Sequence, residues 1–139
     1  MMKVLVAVDG SSHADKAVDH VIRLATEMRS IEVLLVNVQP EPEFRTLAMY
    51  REEMLAELRE NGEAALAGAR DRFRAAGLSA HERLEIGDPP QTIADIAAAE
   101  NVDLVVLGTM GLGSAAGLLV CSVAMKVLHL VEVPVTLVK

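Results

Sequence analysis

The stretch from Gly108 to Ser122, GTMGLGSAAGLLVCS, carries glycines at 108, 111 and 113, directly after the apolar run Asp103 to Leu107 and ahead of a helical pattern. A strand that ends in glycines and turns into a helix can cradle an anion: backbone N–H groups turn toward it, and the helix start adds partial positive charge. Asp9, in VLVAVDGSS, is the carboxylate that could accompany such a cradle. Plainer roles stand beside these. Asp9 could make an Asx turn before Gly10, and the glycines could simply give the loop positive φ. Ser122 could cap the last helix. Cys121 fits a small buried hydrophobe better than a redox site, since no neighbouring base in sequence favours its thiolate. Met110 is either apolar filler or a loop residue placed to touch a base.

Other chemistries find little support. No nucleophile is paired with a histidine and a carboxylate, and neither a zinc pattern nor a Walker lysine motif is present, which argues against efficient catalysis. His13, His20, His81 and His129 have no ligand spacing, so no metal site is expected. Asp9 lacks the companion acids that a phosphoacceptor site needs. With 13 basic against 20 acidic residues, a net charge of −7 and 2% aromatic residues, the chain has neither the basic stripe nor the stacking platform of a nucleic-acid binder. The N-terminal apolar run is too short for a signal-peptide core or a membrane span, and one cysteine agrees with a reducing compartment, so a cytoplasmic location is expected.

The elements that must position these residues are legible. Lys3 to Val8 and Ile31 to Val38 are near-continuous β-branched and leucine runs, as is Asp103 to Leu107, the pattern of strands buried on both faces of a parallel sheet. Ala14, Ala17, Val18, Val21, Ile22, Ala25 and Met28 recur at helical spacing, after a Ser12–Asp15 pair that resembles a capping box. A long helix is expected over Thr46 to Ala76, with Leu47, Tyr50, Met54, Leu58, Ala65, Ala69, Phe73 and Ala76 on one face, and stops at Gly77. Leu78 to Ile86 reads as an edge strand. Asp88 and Pro89 start the next helix as cap and first residue, and it ends near Glu100. Leu118 to Leu130 forms the last helix, with Val120, Val123, Val127 and Leu130 on one face. Pro134 opens a final strand to Lys139. The alternation predicts one α/β domain over residues 1–139: an open, doubly wound, mostly parallel five-stranded sheet with helices on both faces. Ligands in such sheets sit where the strand order reverses. If the first and fourth strands are central, Asp9 to Ser12 and Gly108 to Ser114 bound that crevice.

The resemblance to a known family spans the chain. VLVAVDGS, VLLVNV, IGDPPQTIADIA, VDLVVLGTMG and SVAMKVLHLVEVPVTLVK together resemble a small, single-domain universal stress protein. The spacing of Gly108, Gly111, nine residues, then Cys121 and Ser122 is similar to the family's GxxG, nine residues, Gly-(Ser or Thr) signature, with cysteine in place of the last glycine. This implies the adenine nucleotide alpha hydrolase-like fold with strand order 3-2-1-4-5. It also implies a homodimeric module that binds ATP or another adenine nucleotide, with or without Mg²⁺, and acts as a stress-response signal or adaptor toward a protein effector. Carried over by position, the binding residues are Ala7, Asp9, Val38, Gly108, Gly111, Ser122 and Val123, with Met110 in the loop beside them. Asp9 would meet base and ribose, the end of the second strand would cover adenine, and the glycines with Ser122 would hold phosphate.

Cys121 departs from that pattern. It adds a Cβ and a sulfur where a glycine would let phosphate approach the backbone. The alternative reading is therefore a dimeric interaction protein of the same family that binds no nucleotide; a slow ATP hydrolase is a third. Both leading readings use the final strand, Val133 to Lys139, which is apolar on both faces. As a sheet edge it invites pairing with a second copy. The other possibility is that a helix or the N-terminus covers it.

Overall fold

The computed structural model describes residues 1–42, 48–111 and 120–139, with residues 48 and 49 described by their backbone only. Strands β1 (Met2–Ala7), β2 (Ile31–Pro40), β3 (His81–Gly87), β4 (Leu104–Gly108) and β5 (Val135–Val138) alternate with helices α1 (Ser12–Glu27), α2 (Ala48–Ala75), α3 (Pro89–Ala99) and α4 (Ser122–Leu130). The strands form one sheet in the order β3-β2-β1-β4-β5, and every pairing is parallel. No helix among the described residues is long and apolar enough to cross a membrane.

Side chains alternate across a strand, so the apolar runs feed both faces. Val4 and Val6 of β1 pack with Ala17, Val18 and Val21 of α1 and with Leu66, Ala69 and Phe73 of α2. On the other face, Leu5 joins Leu34, Val36, Val105 and Leu107 against Ile93, Ile96 and Ala97 of α3 and Ala124 and Val127 of α4. Ion pairs tie α2 down from outside. Arg70 Nε reaches Glu82 Oε2 of β3 at 2.7 Å, and Arg72 reaches Asp19 at 2.9 Å and Asp15 at 3.3 Å on α1. The Arg70 guanidinium, by hydrogen bond and charge, holds the Glu82 carboxyl below the usual carboxylate range.

Most boundaries lie where local chemistry puts them, and the differences have local causes. The cap of α1 is Ser11, not Ser12: its Oγ accepts from Ala14 N at 3.1 Å. The positive φ of Gly10 turns the chain one residue earlier than the capping-box reading supposes. Asp88 caps α3 as expected, accepting from Gln91 N at 3.3 Å, with Pro89 in the first turn. Gly77 adopts φ +73°, and Gly77 N→Arg74 O with Leu78 N→Phe73 O forms a Schellman closure of α2. That closure occupies Leu78, so β3 begins at His81. The expected helix start at Thr46, together with Leu47, lies outside the described residues. Of the stripe expected along this helix, Ala69 and Phe73 are buried, whereas Tyr50 is 51% exposed, Met54 36%, and Ala76 is exposed as well. α4 starts at Ser122, with Val120 and Cys121 ahead of it, and Leu130 is 43% exposed instead of buried.

Gly108 has a packing reason to be glycine. A Cβ there would lie 2.8 Å from the backbone C and O of His13, so α1 could not sit on the end of β4 as it does. Gly108→Ala is therefore expected to destabilise the fold by about 1–3 kcal/mol, the usual cost of overpacking, read from urea unfolding. Phe73→Ala, at a site 1% exposed, should cost about 3–5 kcal/mol in the same assay. Because the folded state lowers the Glu82 pKa, the stability from this pair is complete above the ordinary carboxylate value and is lost as pH falls through the depressed one. Glu82→Gln should flatten the decline in stability between roughly pH 5 and 3, while leaving neutral-pH folding intact.

Candidate functional site

The sheet order makes β1 and β4 neighbours, with Val4, Leu5 and Val6 registered against Leu104, Val105 and Val106. The chain leaves β1 toward α1 and β2 on one side, and leaves β4 toward α4 and β5 on the other. Their carboxyl ends therefore open into a crevice. Within it lies a cavity of about 740 Å³, a size suited to a small organic ligand.

One wall is the end of β1. Val8 N donates to Val36 O at 2.8 Å, and the carbonyl of Val8 accepts from Asn37 Nδ2 at 2.7 Å. Asp9 is thus delivered by a peptide pinned to β2. Its Oδ1 accepts from Ser11 N at 2.9 Å, so the Asx turn is real. The other oxygen reaches across the crevice: a Cβ on Gly111 would lie 2.6 Å from Asp9 Oδ2. The two loops meet there, although Asp9 and Gly111 stand far apart in sequence. Neither Gly108 nor Gly111 has positive φ, so loop conformation alone does not explain them; close approach does, to α1 for the first and to Asp9 for the second. Gly113 lies outside the described residues, as does the rest of Leu112 to Leu119.

The opposite wall is the start of α4. Thr109, buried beside the cavity, donates its N–H to Val138 O at 2.9 Å and accepts from Cys121 N at 2.6 Å. Cys121 is the N-cap, with φ −70° and ψ 159° and no side-chain cap bond. Any L-residue takes this conformation, so cysteine replaces glycine here without backbone strain. Ser122 is not the cap that sequence allowed: it is the exposed first residue of the helix. An α-helix leaves its first amides without internal acceptors, and those of Ser122, Val123 and Ala124 belong to this turn.

Ala7, Asp9, Val38, Gly108, Met110, Gly111, Ser122 and Val123 all line the cavity. Val36, Val38, Ile93 and Val123 supply apolar surface suited to a flat ring, and Pro40 and Pro89 line the cavity with them. Asp9 is the only charged residue among the described lining residues. Among the described residues no cluster of three or more His, Cys, Asp or Glu could hold a metal ion. Sequence reasoning missed Asn37, which lines the cavity, is 1% exposed, and also accepts from Gln39 Nε2 at 2.9 Å. Its signal was a single amide within the otherwise apolar VLLVNV.

Comparison with known proteins agrees with this arrangement. The universal stress protein family model matches residues 1–139. The universal stress protein YxiE of Bacillus subtilis is 28% identical over 146 aligned positions, covering 99% of this chain and 98% of its own. The structure of the universal stress protein UspA from Lactobacillus plantarum superposes with a TM-score of 0.88 over 99% of this chain and 97% of that one, at 22% identity, which shows the shared fold. A universal stress protein solved in complex with cAMP aligns at TM-score 0.74 and 27% identity, covering 99% of this chain and 97% of that one. On the match of the family model over the whole sequence, with a sheet of the order 3-2-1-4-5, the chain belongs to the universal stress protein family.

Proposed function

We propose that this chain is a cytoplasmic, homodimeric adenine-nucleotide-binding module that acts in stress response as a signal or adaptor toward a protein effector. The observation that carries the reading is the convergence of Asp9 and Gly111 beside a cavity that the first turn of α4 also lines. Apolar surface from Val38 and Val123 would cover adenine, Asp9 would take the ribose hydroxyls, and the amides beginning at Ser122 would face phosphate. The relative that holds cAMP supports the same ligand class. Mg²⁺ is compatible with the site only as a phosphate-held ion, since Asp9 is the single carboxylate in the described lining.

Cys121 favours the second reading, a nucleotide-free interaction protein, because at the helix start it lines the cavity with a Cβ and a sulfur that a glycine would lack. Calorimetry with AMP, ADP and ATP, with and without Mg²⁺, separates the two. Heat and a thermal shift at millimolar ligand support the nucleotide reading, and their absence supports the other. Gly111→Ala should weaken binding at least about tenfold by displacing the Asp9 carboxylate, a difference of about 1.4 kcal/mol. Its stability should stay near wild type, because only the tip of one side chain must move.

The dimer reading draws on β5, which pairs with β4 along one side while its other edge has no strand partner among the described residues. Val105 N donates to Pro134 O and Thr109 N to Val138 O, so the parallel ladder directs the amides of Val135 and Leu137 outward. Leu137→Pro removes one outward N–H and spares the bonds to β4. Light scattering should show it shifted to monomer relative to a dimeric wild type; an unchanged mass would remove β5 from the interface.

A further inference from the structure

We infer that the cavity selects nucleotides bearing a single phosphate over their di- and triphosphate counterparts, an inference that rests on the adenine-nucleotide reading and narrows it. The first observation is charge. From Leu104 to Met125 the sequence contains no charged residue, and this stretch spans β4, the glycines and the first turn of α4. Asp9 is the only charged residue in the described lining, and it is acidic. A polyphosphate would therefore enter a site whose one formal charge repels it.

The second observation is the count of donors. The amide of Cys121 is already taken by Thr109 O at 2.6 Å, and Met125 N is the first helical amide bonded back, to Cys121 O at 3.1 Å. Between them, among the described residues, stand the amides of Ser122, Val123 and Ala124, all three residues lining the cavity. That turn is a shell for one phosphate group. The helix end adds a partial charge of about half a unit, enough to favour one phosphate and too little to neutralise a chain of them.

The third is space. Cys121 lines the cavity at the helix start and is half-buried against the apolar cluster under α4, so its Cβ and sulfur take up room there that a glycine would leave open. Backbone geometry does not demand a glycine there, so the thiol is retained at no conformational cost, and its effect falls on the ligand.

The test is calorimetry with adenosine, AMP, ADP and ATP in metal-free buffer, at low and high salt. AMP should bind about tenfold or more tighter than ATP at low salt, with ADP between them, and the gap should shrink as salt screens the repulsion. Adenosine should bind more weakly than AMP. ATP matching or exceeding AMP, or adenosine matching AMP, would overturn the inference while leaving adenine binding intact. Failure of all four ligands would instead overturn the adenine-nucleotide reading itself. Two variants test the causes separately. Met110→Lys supplies a cation at the cavity wall and should raise ATP affinity more than AMP affinity; equal gains would refute the electrostatic cause. Cys121→Gly should also favour ATP, and an unchanged ratio would refute the steric one.

Discussion

The register between β1 and β4 is the constraint on which the molecule depends. With Val6 set beside Val106, the residues that follow each strand leave the sheet side by side, and the two chain directions then diverge. Parallel strands need crossover helices, which cover both faces and leave the carboxyl ends of the central pair as the natural opening. A slip in that pairing would carry Asp9 away from Gly111 and turn the core residues of β1 onto the wrong face. The buried valines on both sides of β1 resist such a slip, so the apolar packing and the polar crevice are secured by the same contacts.

The few buried polar residues are grouped around this opening. Ser11 starts α1, Asn37 holds the carbonyl of Val8, and Thr109 joins β5 to the helix start. A buried amide without partners is costly, and Asn37 meets that requirement by donating to Val8 and accepting from Gln39. α2 must come close to this network. A Cβ on Gly62 would lie 2.7 Å from Asn37 Oδ1 and 2.5 Å from Leu84 Cδ1, so the glycine lets the helix cover the amide. The glycines of the molecule thus do different work: Gly62 and Gly108 admit helices, Gly111 admits a carboxylate, and Gly77 reverses a chain.

The parts of the fold legible in the sequence were those governed by periodicity and local chemistry. Continuous β-branched runs marked β1, β2 and β4, and Asp88-Pro89 marked the start of α3, because each signal is carried by neighbouring residues. The parts that escaped depend on what lies across space. Ser11 and Ser12 are both plausible caps until the turn at Gly10 chooses between them. Tyr50 and Met54 share a helical stripe with Phe73, yet they are exposed where Phe73 is buried. The crevice was expected at the ends of the first and fourth strands from the alternation of elements, and Asp9 and Gly111 do approach each other there. The role of Asn37 required knowing which carbonyl lay opposite it.

Thr109 joins two regions that the sequence keeps apart. Its N–H holds the last carbonyl of β5 and its own carbonyl holds the amide that begins α4. The chain's terminal edge and the mouth of the helix are thus hung on a single hinge pin. Losing either bond would therefore disturb the residue that serves the other.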